Sequence, residues 1–393
     1  MSDPVVIVAA ARTPIGGLMG DLASQQAWQL GAVAIRAALQ RAGLGGDRID
    51  EVLMGNCLMA GQGQAPARQA VLAAGLPVSV GAVTLSKMCG SGMRAAMFAA
   101  DMLVAGSAEV VVAGGMESMT NAPYLVPKGR QGYRYGHATL FDHMALDGLE
   151  DAYERGKAMG VFAEQCVVKY GFSRADQDRF AIASTERAIQ AHRDGAFAWE
   201  LAPVRVAGKG GEVEVGRDEQ PFKAKLDRIP TLKPAFKSDG TITAANASSI
   251  SDGAAALVLM RESTAARLGI APVARIVAQA VHAAAPDWFT TAPVGAINKA
   301  LGRAGWDRRQ VDLWEINEAF AAVAMVAMRD LEIPHERVNV HGGACALGHP
   351  IGASGARIIV TLLGALRRSG GRRGIAALCI GGGEATAVAI ERL

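Results

Sequence analysis

The sequence predicts an α/β protein of two duplicated halves facing each other across a pseudo-twofold axis, with an inserted segment between them. Three observations lead there. Half of the 393 residues are hydrophobic, yet only 5% are aromatic and 47 are glycine. Such a composition packs Ala, Val, Leu and Ile on closely spaced helices and near-continuous apolar strands. Short apolar runs also alternate with segments of helical period. Finally, Ala34-Ile35, Ala38-Leu39 and Arg41-Ala42-Gly43 return as Ala296-Ile297, Ala300-Leu301 and Arg303-Ala304-Gly305, and Asp50 returns as Asp312, every residue displaced by 262 positions. One constant offset over so many identities marks a duplication.

In chain order, Pro4 to Ala11 reads as a buried strand. Trp28 to Ala42 carries apolar residues at helical spacing and ends at Gly43, a usual helix C-cap. Ile49 to Met54 is a second strand, and the strand, helix, strand order predicts a doubly wound parallel sheet. Ser86-Lys87-Met88-Cys89-Gly90-Ser91-Gly92-Met93-Arg94 then enters the helical run Ala95 to Val104, followed by a strand from Glu109 to Glu117. The second half repeats this as Ser354-Gly355-Ala356-Arg357, a helix, and Ile375 to Glu384, with Gly114-Gly115-Met116-Glu117 set against Gly381-Gly382-Gly383-Glu384.

Between the halves the character changes. Asn121 to Gly136 is rich in Gly, Pro, Tyr and basic residues and reads as an exposed loop. Arg174 to His192 is an amphipathic helix with Ser173 as N-cap, and 205–237 is polar and punctuated by Pro221, Pro230 and Pro234. Such an insertion is a usual seat of substrate recognition. Ala254 to Met260 returns to the core, which sets the expected boundaries at 1–119 completed by about 240–268, 120–239 and 269–393.

A net charge of +3 with intermixed signs argues against a nucleic-acid or membrane surface. Cys57, Cys89, Cys166, Cys345 and Cys379 are scattered, without the spacing of a zinc site or a disulfide framework, so reduced thiols and no metal are expected. No apolar run reaches the ~20 residues that span a bilayer. The chain enters the strand-like Val5 to Val8 without a leader, and the expected location is the cytoplasm.

Cys89 is the first chemical candidate. At a helix start, unpaired backbone N–H groups and the helix dipole favour a thiolate. From this stretch alone, a small buried packing thiol is an equal reading. Three later motifs add to it: Asn317-Glu318-Ala319-Phe320 after the strand Val311 to Trp314, Gly348-His349-Pro350, and Cys379-Ile380-Gly381-Gly382-Gly383. Together with Met88-Cys89-Gly90-Ser91-Gly92 they resemble, in order and over essentially the full length, the four signature stretches of the thiolases, here of the acetyl-CoA C-acetyltransferase type.

That resemblance implies a thiolase-like fold, with two βαβαβαββ halves in α/β/α/β/α layers and an inserted loop domain over the coenzyme A site. It implies reversible Claisen condensation of two acetyl-CoA to acetoacetyl-CoA and CoA. Cys89 would carry the acyl group, His349 would take its proton, and Cys379 would exchange the Cα proton. Asn317 would hold a water that, with His349, stabilises the enolate, and the N–H groups of Cys89 and Gly381 would meet the second oxyanion. Ser248 would contact the pantetheine, and Leu149, Met159, Phe236, Ala247, Ala319 and Phe320 would line its tunnel. Coenzyme A enters as substrate, with no tightly bound cofactor, and the Gly132 to Gly136 stretch resembles a loop that joins dimers into a homotetramer.

Three residues depart from the family pattern: Ala158 stands where short-chain members commonly have His, His341 where Asn is more usual, and Cys345 where an aliphatic residue is usual. Ala158 leaves open a broader 3-ketoacyl-CoA thiolase of fatty-acid degradation. A non-catalytic acyl-CoA carrier on the same fold would lack one of Cys89, Asn317, His349 or Cys379, and a Cys-His hydrolase would have no need of Cys379. The basic residues Arg217, Lys223, Lys225 and Arg228 match no family pattern for the CoA phosphates.

Overall fold

A computed structural model describes residues 3–208 and 210–393. The first half runs β1 (Val5–Arg12), α1 (Ala27–Ala42), β2 (Glu51–Gly55), α2 (Pro66–Ala73), β3 (Gly81–Leu85), α3 (Ser91–Ala105) and β4 (Val110–Ser118). After the insertion, which holds α4 (Met159–Tyr170) and α5 (Arg174–Arg193), β5 (Ser251–Arg261) returns to the core. The second half follows as β6 (Ala274–Ala283), α6 (Ala292–Ala304), β7 (Leu313–Ile316), α7 (Ala321–Asp330), α8 (Ile351–Ser369), β8 (Arg373–Ile380) and β9 (Glu384–Arg392).

These nine strands and the two-residue Gly16–Gly17 form one ten-stranded sheet in the order β7-β8-β9-β6-β1-β5-β4-β2-β3. The halves are continuous through β1 and β6, but only Val6 with Arg275 and Ile7 with Ala274 make that joint. The sheet is mixed, where the opening of the chain predicted a parallel one. Strands β2 and β3, β2 and β4, and β7 and β8 run parallel at the two ends. The middle is antiparallel because β9 turns straight back from β8 through Gly381–Gly383, and β5 enters from the insertion at the opposite end.

Side chains alternate across this sheet, as the pleat requires. Val111, Ala113, Leu257 and Leu259 face one cluster with α3 and α8, while Val110, Val112, Val258 and Met260 face another with α1. On the second half, Ile375, Ala377, Ala387 and Ala389 pack against α6 and α7. The layers therefore read helices, half-sheet, α3 with α8, half-sheet, helices. The inner helices approach closely because Gly92 and Gly355 are their crossing points: a Cβ on Gly92 would lie 2.8 Å from the Ala356 nitrogen, and one on Gly355 2.4 Å from that of Met93.

The repeat is visible in three dimensions, with one correction to its register. Gly43 and Gly305 cap α1 and α6 in the left-handed conformation at φ 64° and 66°. Asp50 accepts from the N–H groups of Glu109 and Val110, and Asp312 from those of Arg372 and Arg373. Val110 thus corresponds to Arg373, and Glu117 to Ile380 rather than Glu384. The Gly-Gly-x-Glu likeness is out of register, since glycine sits inside β4 but in the turn after β8.

Among the described residues, 119–250 contributes no strand to the large sheet, only a single parallel bridge from Leu201 to Arg12 at the end of β1. Ser173 and Asp176 cap α5 reciprocally, Ser173 Oγ accepting from the Asp176 N–H and Asp176 from the Ser173 N–H. Buried Arg12 on β1 fastens this segment, donating to Glu200 at 2.5 Å and to both Asp218 oxygens at 2.7 and 3.0 Å. No described helix is long and apolar enough to cross a membrane.

Candidate active site

The turn before α3 is fixed by Ser91. Its hydroxyl donates to the Met88 carbonyl at 2.6 Å and accepts from the Lys87 N–H at 2.8 Å, while Lys87 also pairs with Glu384. Met88 takes the left-handed region at φ 48°, unusual for a residue with a side chain, and Cys89 follows it. Strain is thus concentrated one residue before the candidate nucleophile.

The resting thiol is not the thiolate that the helix start alone predicts. Burial pushes Cys89 up to about 11, outweighing the N–H groups of Gly381 and Cys89 that point at its sulfur and pull it down. Cys379, fully buried, is raised well above the ordinary thiol value, first by burial and then by nearby Cys89. His349 is lowered to about 3 by burial and by Arg357. Both thiols and the imidazole are therefore neutral at rest.

The His349 ring is oriented by Ser354. The Ser354 hydroxyl donates to the Pro350 carbonyl at 3.0 Å, so Nδ1 carries the proton and donates to Ser354 Oγ at 2.6 Å. Nε2 then presents a lone pair with no protein partner, as a base requires. Asn317, wholly buried just past β7, accepts from Arg357 Nη2 at 3.2 Å through Oδ1, and its Nδ2 has no protein partner. Glu117, raised to about 7 by burial, accepts from the N–H groups of Cys57, Leu58 and Gly352. It thereby joins the loop after β2 to the start of α8, across the two halves.

A cavity of about 470 Å³ opens over these groups. Cys89, His349 and Gly381 line it, as do Leu149, Met159, Phe236, Ala247, Ser248, Ala319 and Phe320. Cys379 and Asn317 lie behind the lining, Cys379 packed with Ala319, Phe320 and Phe289. The Ser248 hydroxyl donates to the Ala319 carbonyl at 3.0 Å and keeps its lone pairs for a ligand. A second cavity, of about 410 Å³, shares Ala244 and Ser249 with the first and is lined by Lys223, Lys225, Arg228 and Cys345. Among the described residues no cluster of His, Cys, Asp and Glu could hold a metal ion.

Comparison with protein families matches residues 5–263 to the thiolase N-terminal domain and residues 270–392 to the thiolase C-terminal domain. The chain belongs to the thiolase family. This thiolase is 48% identical over 390 residues to an acetyl-CoA acetyltransferase of Pseudomonas aeruginosa, covering 99% of each chain. It is 49% identical over 392 residues to acetyl-CoA acetyltransferase 2 of Arabidopsis thaliana, covering 99% of this chain and 97% of the relative. Its structure matches the Acat5 thiolase of Ascaris suum in complex with coenzyme A, with a TM-score of 0.94 and 42% identity, over 99% of this chain and 100% of that one. It also matches the Bacillus anthracis acetyl-CoA acetyltransferase, with a TM-score of 0.96 and 40% identity, over 100% and 99%.

Sequence reasoning missed Ser354, Glu117, Arg357 and Phe289 of this thiolase. Ser354 and Arg357 had a signal, as the repeat partners of Ser91 and Arg94. Glu117 and Phe289 had none, because their contacts join distant segments. The neutral resting state of Cys89 has a direct consequence. Its alkylation by iodoacetamide in the free enzyme should be on the order of 100-fold slower at pH 7 than that of an ordinary thiol and rise about tenfold per pH unit toward 11. Mass spectrometry of the Cys89 peptide measures it, and a rate flat from pH 7 to 9 would show a thiolate already formed.

Proposed function

We propose that the chain catalyses the reversible condensation of two acetyl-CoA to acetoacetyl-CoA and CoA, and its thiolytic reversal, in the cavity over Cys89. The observation that carries this reading is the meeting of Cys89, His349 and Gly381 in one cavity with the second thiol, Cys379, directly behind. The names of the relatives support the same substrate.

In condensation, Cys89 gives its proton to His349 Nε2 as its sulfur attacks the first thioester. The departing CoA thiolate takes the proton of neutral Cys379 and leaves that residue as a thiolate base. Cys379 then removes the Cα proton of the second acetyl-CoA, and the enolate attacks the Cys89 thioester. Cys89 is expelled and recovers its proton from His349, so both thiols and the imidazole return to their resting forms. In this reading the N–H groups of Cys89 and Gly381 meet the oxyanion of the acyl-enzyme, and the His349 and Asn317 groups meet the enolate.

Coenzyme A is the substrate in this reading, its pantetheine along Ser248, Leu149, Met159, Phe236, Ala247, Ala319 and Phe320. The segment 120–239, between core halves 1–119 with 240–268 and 269–393, serves as its cover. Its phosphates would lie toward the adjoining cavity, where Lys225 and Arg228 make no ion pair among the described residues, whereas Lys223 pairs with Glu219. A homotetramer fits the exposed loop bearing Tyr133, Tyr135 and Leu140, and the free edge of β3, where Val83 is exposed. A cytoplasmic location fits five cysteines that are all free thiols.

Thiolysis rates for acetoacetyl-CoA against 3-ketoacyl-CoAs of six to twelve carbons test the substrate. Acetoacetyl-CoA should be preferred, because the bulky side chains of Met159, Phe289 and Phe236 line the cavity. Preference for the longer chains would replace this reading with the broader degradative thiolase, which Ala158 leaves open.

A further inference from the structure

We infer that Arg357 is a positioning residue that sets the direction of the Asn317 carboxamide, holding its oxygen inward and leaving its NH2 group for the water that meets the enolate. This rests on the role given to Asn317 above. Arg357 on α8 is only 2% exposed, and Asn317 is fully buried. A guanidinium has N–H donors on every side and no acceptor, so the end of the carboxamide facing it has to be the oxygen. The contact is Arg357 Nη2 to Asn317 Oδ1 at 3.2 Å, and Nδ2 is the end without a protein partner. Turning the amide over would set two buried donors face to face and strand the oxygen.

Arg357 is itself approached from the same face of β7, at ion-pair distance but without a hydrogen bond. Glu315, two residues before Asn317, points to the same side of the strand, and its Oε2 is 3.5 Å from Arg357 Nη1. Glu315, Arg357 and Asn317 thus form one buried row. The duplication shows that the first half has no such arrangement. At the corresponding places stand Arg94, half-buried and stacked on Phe98 at 4.1 Å, and Gly55, which has no side chain to orient. The arginine is common to both halves, but only the half that carries Asn317 turns it inward.

The test separates two partial reactions in the intact enzyme: acetylation of Cys89 by acetyl-CoA, read by mass, and exchange of the acetyl-CoA Cα protons in deuterium oxide. Wild type, Arg357→Lys, Arg357→Gln, Asn317→Ala and the Arg357→Gln/Asn317→Ala double variant are compared. Arg357→Gln should keep acetylation within a few-fold and lose about 10- to 100-fold in Cα exchange and in kcat for condensation, with KM little changed. Arg357→Lys, which can still donate to Oδ1, should recover part of the loss. The double variant should be no slower than Asn317→Ala, because the arginine acts through the asparagine. Losses that multiply in the double variant, or acetylation and exchange falling together, would overturn the inference. Should Arg357→Gln fail to fold, Arg357→Lys alone and in combination with Asn317→Ala carries the same comparison. A wild-type enzyme that neither acetylates Cys89 nor exchanges Cα protons would overturn the thiolase reading itself, before any variant is compared.

Discussion

Replacing Cys89 by Ala is expected to lower thiolysis of acetoacetyl-CoA on the order of ten-thousandfold or more, the scale on which enzymes fail when the nucleophile of a covalent route is deleted. The reason lies in what remains. His349 Nε2 would still offer a lone pair and the Gly381 N–H would still point into the cavity, but no atom could hold the acyl group between the two half-reactions. No adduct should appear on the protein when acetyl-CoA is added, and substrate binding should persist, since the lining from Leu149 to Phe320 is untouched. The alanine is smaller than the thiol, and α3 keeps its Ser91-locked turn, so the fold should survive. An acylated protein or near-normal turnover in this variant would remove Cys89 from the chemistry.

Cys379→Ala should fail differently. The acyl-enzyme should still form from acetyl-CoA, because that step needs Cys89 and His349, and the expelled CoA thiolate can take a proton from water. Condensation and thiolysis should both fall about 100- to 10,000-fold, the usual worth of a positioned acid-base group. The signature is therefore a protein that acetylates and then stalls, with Cα exchange lost. If this variant acetylated no more readily than Cys89→Ala, the division of labour between the two thiols would be wrong.

The two thiols also show where the sequence could be read and where it could not. The four motifs are local strings, each at the end of a strand or the start of a helix, and their order identified the family and the cavity-lining set. The repeat at 262 placed the helices and their glycine caps. The protonation of the site was not legible, because the 11 of Cys89 and the 3 of His349 come from burial, which depends on the whole assembly. Nor was the register of the second repeat stretch, which Asp50 and Asp312 decide through hydrogen bonds to residues about sixty positions away. The Arg357 contact escaped for the same reason, since it spans 40 residues and a change of element. The parallel sheet expected from the opening elements failed at β5, whose position nothing before residue 250 announces.

That position has a consequence for how the chain is made. β5 lies between β1 and β4, so β1 has no partner on that side until residue 261 has been added. At ~5–20 residues per second, Val5 to Val8 wait on the order of ten seconds or more as an unpaired apolar strand. The nascent first half therefore resembles an open β edge rather than a finished domain, a state that invites pairing with other chains. Nucleophile and base become neighbours only after both halves have left the ribosome, when α3 and α8 can cross at Gly92 and Gly355.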